Sequence, residues 1–238
     1  MNRVSNLIFI LCFYSVAAQW SRFDLDTISP SNFKSEVLPI FRQGALTVGF
    51  APLLPAFNDC RLHTGLVFSR GVDLTNSDFA RKNLKWIPVA YGSVLITSNL
   101  DVRGKIGGLT TGKTLIQLSA FGLGLKQGVT TTKSFWKFDV DIGRLQVVHQ
   151  YQLTSYEFAL KRAFSFHQLP VFLSLGSNQF EVRFNQQTNS AFPARLGSKV
   201  NYLKTGAIFN IKRLFLVPQI TGNTKFISVL VDLNLVFN

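Results

Sequence analysis

The stretch Phe226–Phe237 sorts into two faces. Ile227, Val229, Val231, Leu233, Leu235 and Phe237 form one wholly apolar row, and Ser228, Leu230, Asp232 and Asn234 form the other, mostly polar. A period of two marks a β-strand whose sides meet different solvents. The stretch is far longer than the usual strand of roughly 5–6 residues. It matches a tilted strand that crosses a bilayer, which needs about 9–11.

The same reading runs back along the chain. Strands are expected at 44–54, 60–72, 87–106, 114–127, 135–148, 156–166, 171–175, 180–184, 200–212 and 214–220. Thr221-Gly222-Asn223-Thr224 then makes a hairpin turn into the last strand. The expected fold is all-β: a closed antiparallel transmembrane barrel of 10 or 12 strands, since such barrels usually have an even number. Closure matters because lipid leaves no partner for an open sheet edge. The competing architecture is a secreted soluble β-sandwich that binds a surface glycan or protein partner. It also has one apolar face per strand, but buries that face in a shared core.

The first residues read as an export signal. Residues 1–18 carry Arg3, the apolar core Leu7–Phe13 and the small-residue site Val16-Ala17-Ala18 before Gln19. Residues 19–43 form a separate segment, periplasmic or plugging the barrel, with a short helix expected over Asn32–Gln43 and interrupted at Pro39. The barrel is assigned to 44–238. Without residues 1–18 the chain keeps Cys60 alone, so no intrachain disulfide can form. The chain is 47% apolar with 23 Phe and only 16% charged, yet no stretch is apolar enough for a membrane helix. A barrel reconciles these facts, because only alternate residues face lipid.

Gly107-Gly108-Leu109-Thr110-Thr111-Gly112-Lys113-Thr114 matches the phosphate-loop pattern letter for letter. That pattern needs a buried strand before it and a helix after it. Here the preceding residues are charged and the following ones include Gly122 and Gly124, so a Gly/Thr-rich turn between two strands is expected. His63, His149 and His167 stand in no metal spacing, and Cys60 has no catalytic setting. No enzyme activity, cofactor or metal is expected.

The net charge of +13 is scattered, with no basic stripe alternating with aromatics, so nucleic acid is not the expected partner. Membrane lipid is, through headgroups, along with an anion-preferring lumen. The lumen-lining candidates on polar rows are Arg103, Lys105, Lys137, Asp139, Asp141, Asp232 and Asn234. Trp20, Trp86, Trp136, Tyr91, Tyr151, Tyr156 and Tyr202 lie near expected strand ends, where aromatics form interfacial girdles.

Four features together carry a resemblance: the export signal, the short N-terminal helix, the run Trp86-Ile87-Pro88-Val89-Ala90-Tyr91-Gly92 and the amphipathic last strand. On these the chain resembles bacterial outer-membrane β-barrel proteins, most nearly an uncharacterised group of exported barrels and more distantly hydrophobic-compound transport barrels. The resemblance implies the bacterial outer membrane as location and a structural role or a narrow channel or transporter for small or apolar solutes. It also implies assembly through the last strand by the barrel-assembly machinery. Typical members end on an aromatic, whereas Phe237 here is followed by Asn238.

Overall fold

The computed structural model describes residues 32–50, 62–74, 80, 84, 86–111, 114–127, 134–185, 193–211 and 214–237. One helix, α1 (Phe33–Val48), precedes β1 (Leu62–Asp73), β2 (Ile87–Leu95), β3 (Leu100–Thr111), β4 (Thr114–Gln127), β5 (Phe135–Val147) and β6 (Tyr151–Phe166). Then come β7 (Leu169–Phe184), β8 (Arg195–Ala207), β9 (Phe209–Ile211), β10 (Leu214–Gly222) and β11 (Phe226–Phe237). Each barrel strand pairs antiparallel with its sequence neighbour, and β11 returns to β1 from Leu62↔Phe237 to Asp73↔Phe226. The sheet is therefore closed.

The barrel has ten strands, because β8 and β9 are one strand in two parts. Both keep a single register against β10, Gly206↔Gln219 and Ile211↔Leu214, and the ladder lapses only near Pro218. Proline has no N–H to donate there.

Side chains alternate strictly across the wall. On β6, Tyr151, Leu153, Ser155, Glu157, Ala159, Lys161 and Ala163 are buried, while Tyr156, Phe158, Leu160, Phe164 and Phe166 are exposed. Large apolar side chains also stand outward on neighbouring strands, among them Phe121, Leu123, Leu125, Phe138, Ile142, Leu173, Leu175 and Leu203. Tyr156 to Phe166 spans about 33 Å along the strand at about 3.3 Å per residue. A tilt of about 40° brings this to about 25 Å, the usual height of an apolar barrel belt. The apolar rows point out of a single closed sheet, so the sandwich alternative does not hold.

Two of the aromatics expected at the rims, Trp136 and Tyr156, do stand outside, and Trp86 is exposed. Tyr91, Tyr151 and Tyr202 do not; they are buried inside the barrel. Each sits on the inward parity of its strand, and that outweighs closeness to a strand end. Trp20 lies outside the described residues, as does the stretch 1–18, expected to be an export signal.

Three strand expectations are corrected. Gly44–Val48, expected to open the first strand, is the last part of α1, which runs on through Pro39. The stretch 87–106 is a hairpin, because Thr97 Oγ1 accepts from the N–H groups of Asn99 and Leu100 and turns the chain between β2 and β3. The pieces 171–175 and 180–184 are one strand, β7, continuous through Gly176. Of the Gly/Thr-rich motif, 107–111 close β3 and Thr114 opens β4, the strands pairing as far as Thr111↔Thr114, while Gly112 and Lys113 lie outside the described residues.

Helix α1 lies inside the barrel. Phe33, Val37, Ile40, Phe41, Ala45, Leu46 and Val48 are all buried against inward residues of the wall, including Leu145, Leu153, Val182 and Val200. Phe41 meets the Tyr151 ring at 5.0 Å and Phe33 meets Phe184 at 5.5 Å. Each large side chain so buried contributes about 1.5–3 kcal/mol before entropy is counted. The helix starts beside the ends of β5 and β7 and the starts of β6 and β8. It runs inward, so that Phe50 beyond it reaches Tyr91 in mid-barrel.

Candidate functional site: a buried charge layer beneath the helix

Below the end of α1 the lumen wall carries charge. The described buried residues include five cations, Arg103, Lys105, Lys137, Lys161 and Lys204, and five anions, Asp101, Asp139, Asp141, Glu157 and Asp232. Their formal charges cancel. Arg103 is the hub: Nη1 lies 2.9 Å from Asp101 Oδ1 and 2.8 Å from Asp139 Oδ1, and Nη2 lies 2.7 Å from Asp141 Oδ2. Arg103 Nη2 also donates to the Leu123 carbonyl at 2.9 Å. Lys137 bridges Asp101 at 2.8 Å and Asp139 at 3.3 Å, and Lys161 reaches Asp139 at 2.8 Å. Charges so deeply buried persist only when paired.

The layer also grips the helix. The last carbonyls of a helix have no partner within it. Lys105 Nζ donates to the Val48 carbonyl at 2.8 Å while touching Asp141 at 2.9 Å. Asn178 Nδ2 donates to the Ala45 carbonyl at 3.1 Å and to Glu157 Oε2 at 3.0 Å. Tyr202 donates its hydroxyl to Glu157 Oε1, and Lys204 lies over the Phe50 ring at 5.4 Å. Cations beside a helix C-terminus are favoured by its partial negative charge. Higher up, Gln43 donates to the Ser69 carbonyl and Thr47 shares a hydrogen bond with the Ser69 hydroxyl.

Glycines make room for these side chains. A Cβ on Gly122 would come within 2.1 Å of Asp141 Oδ1, and one on Gly124 within 2.3 Å of Asp101 Oδ2. The charged side chains of β3 and β5 lie across a trough in β4 that only glycine leaves open. Gly122→Ala is expected to cost about 1–3 kcal/mol, read as a lowered urea midpoint in detergent. Gly104→Ala, where a Cβ meets nothing within 4 Å, is the matched control and should be near neutral.

All seven lumen candidates are buried. Arg103, Lys105, Lys137, Asp139 and Asp141 meet in one cluster, whereas Asp232 and Asn234 sit apart on β11, where Asp232 accepts from the Tyr91 hydroxyl at 3.1 Å. Asp101, Glu157, Lys161, Lys204, Asn178 and the two tyrosines were not among those candidates. Strand parity was the available signal, since each shares the inward row of its strand.

No protein-family description and no curated protein sequence matches the chain. Among solved structures, it is similar to the translocator domain of the autotransporter NalP from Neisseria meningitidis, at 6% identity and a TM-score of 0.44, covering 87% of this chain and 98% of that one. It is also similar to Ail, the attachment invasion locus protein of Yersinia pestis, at 10% identity and a TM-score of 0.36, covering 74% and 97%. An OmpT loop-deletion mutant, an outer membrane protein of Vibrio cholerae, overlays at 8% identity and 0.34, covering 74% and 62%. These overlays are loose, and the barrel assignment rests on the strand pairing itself. The architecture is that of a transmembrane β-barrel: a closed antiparallel sheet, apolar outside and charged within.

Proposed function

We propose that this chain is an outer-membrane barrel with a shut lumen, a structural element of the membrane rather than an open conduit. The observation that carries the reading is the layer of buried ion pairs across the lumen, with α1 packed onto it. A path for ions would have to break several buried ion pairs and withdraw the helix end from Lys105 and Asn178. The apolar belt supports membrane insertion, and a closed sheet leaves no backbone edge bare in lipid.

The strand ends joined by the long connections, 13 residues between β1 and β2 and 10 between β7 and β8, are at the end where α1 starts, opposite the end of β11. Barrels of this kind have short periplasmic turns and longer outer loops, so the start of α1 faces outward in this reading and the last strand ends at the periplasmic side. Recognition of that strand by the barrel-assembly machinery belongs to the same reading.

Planar-bilayer recording tests it. The unaltered protein is expected to insert and give a flat baseline. Steady single-channel steps would overturn the shut lumen in favour of a narrow channel for small solutes.

A further inference from the structure

The lumen charges cancel, so the excess positive charge of the chain lies elsewhere, and part of it is concentrated. On the outer face of β5–β8 the apolar belt stops at Ile142 and Tyr156. Level with that last row stands Lys199, and beyond it, toward the end where α1 starts, stand Arg144, Arg183 and Arg195, with Glu181 among them. The pairing register makes this one patch. Lys199 lies in the row of Gln179 and Tyr156, Arg144 in the row of Glu181, and Arg183 directly opposite Arg195. Four strands about 4.8 Å apart and rows two residues apart make a patch roughly 14 Å square.

The patch is not neutral. Like charges directly opposite across a sheet destabilise it, yet Arg183 and Arg195 are so placed. Glu181 answers them only in part, reaching Arg183 Nε at 2.8 Å and Arg195 Nε at 4.0 Å. Arg144 and Lys199 have no ionic partner among the described residues. Within the belt the outward cation Arg162, between Leu160 and Phe164 on β6, is covered, stacked 5.0 Å over the Trp136 ring.

We propose that the patch on β5–β8 holds the phosphate-bearing headgroup of a membrane lipid in the leaflet at that end. The inference rests on the membrane reading above. Guanidinium forks match phosphate oxygens, and basic residues beside a membrane surface attract anionic headgroups. Continuity with the belt selects a lipid over a free anion: a headgroup on Arg183 and Arg195 sets its acyl chains alongside Tyr156, Ile142 and Leu203, which are all exposed.

The test uses the full chain in phosphatidylcholine nanodiscs doped with lipid A, a glycolipid with two phosphates, or with its dephosphorylated form. Lipid retained on the protein is counted by native mass spectrometry. The unaltered protein is expected to retain the phosphorylated form at least about tenfold over the other. The combined Arg144→Ala, Arg183→Ala, Arg195→Ala and Lys199→Ala variant is expected to lose that preference. Glu181→Gln, which leaves every cation in place, is expected to raise it. Equal retention of both lipids by the unaltered protein, or an unchanged preference in the fourfold variant, overturns the inference while leaving the barrel reading intact. Loss of the preference on adding inorganic phosphate would assign a free-anion site and overturn it too. Failure of the unaltered protein to enter nanodiscs of phosphatidylcholine alone would sink the membrane reading, and this inference with it.

Discussion

Arg103→Ala is expected to lower the stability of the barrel by about 3–5 kcal/mol, the range for removing one partner from a buried charge pair. The reason is what stays behind. Asp101, Asp139 and Asp141 are all at most 2% exposed, and each has an oxygen within 2.9 Å of the Arg103 guanidinium. Lys137, Lys161 and Lys105 remain nearby, but the three buried carboxylates lose the guanidinium that joins them, and the contacts it made go unmet. Urea unfolding of the protein in detergent reads the change as a shift in midpoint at constant slope. Arg103→Lys separates charge from geometry. It keeps the charge but cannot contact three carboxylates and the Leu123 carbonyl as a planar fork does, so it should fall between the other two. A loss under about 1 kcal/mol for Arg103→Ala would mean that the layer is hydrated and does not hold the wall together.

The second large effect is expected on the other side of the wall. Val231 lies on the outward row of β11, and Asp232 beside it is fully buried and accepts from Tyr91. Val231→Arg should cost about 2–4 kcal/mol in a bilayer, the cost of a basic residue at the lipid face near mid-membrane. Asp232→Asn keeps an oxygen acceptor for Tyr91 and should cost about 0.5–1.5 kcal/mol, the scale of one hydrogen bond. Unfolding in vesicles rather than micelles is the decisive measurement, since only a bilayer imposes the full penalty on the outer row. Equal losses at the two neighbours would contradict the assignment of inside and outside.

The wall was legible in the sequence because its period is set by the pleat. Once one inward residue of a strand is known, every second residue follows. The candidates Lys137, Asp139 and Asp141 were found that way. The pairing of Asp141 with Arg103, also a candidate, is not legible that way, because the two are 38 residues apart and only the strand register brings them together. Tyr91 and Tyr202 were misplaced for a different reason. Distance from a strand end says how high a residue stands but not which way it points, whereas the parity of Ser93 and Lys204 pointed both tyrosines inward. The end of α1 misled because Gly-Ala-Leu-Thr-Val is as good a strand as a helix by local preference. What decides is its burial in the lumen and the donors waiting for its carbonyls at Ala45 and Val48.

The enclosed helix also constrains the order of assembly. A helix of 16 residues is about 24 Å long, and it precedes the first strand of the wall that surrounds it. The seam between β1 and β11 joins opposite ends of that wall, such as Leu62 to Phe237. Once this seam is zipped, the helix can enter only lengthwise, through a mouth already lined with side chains. The direct route has the curved sheet of β4–β7 form against α1 first, as on a mandrel, with the seam last. A destabilised contact between α1 and β5 or β6 would then slow folding, whereas a destabilised seam would mainly speed unfolding.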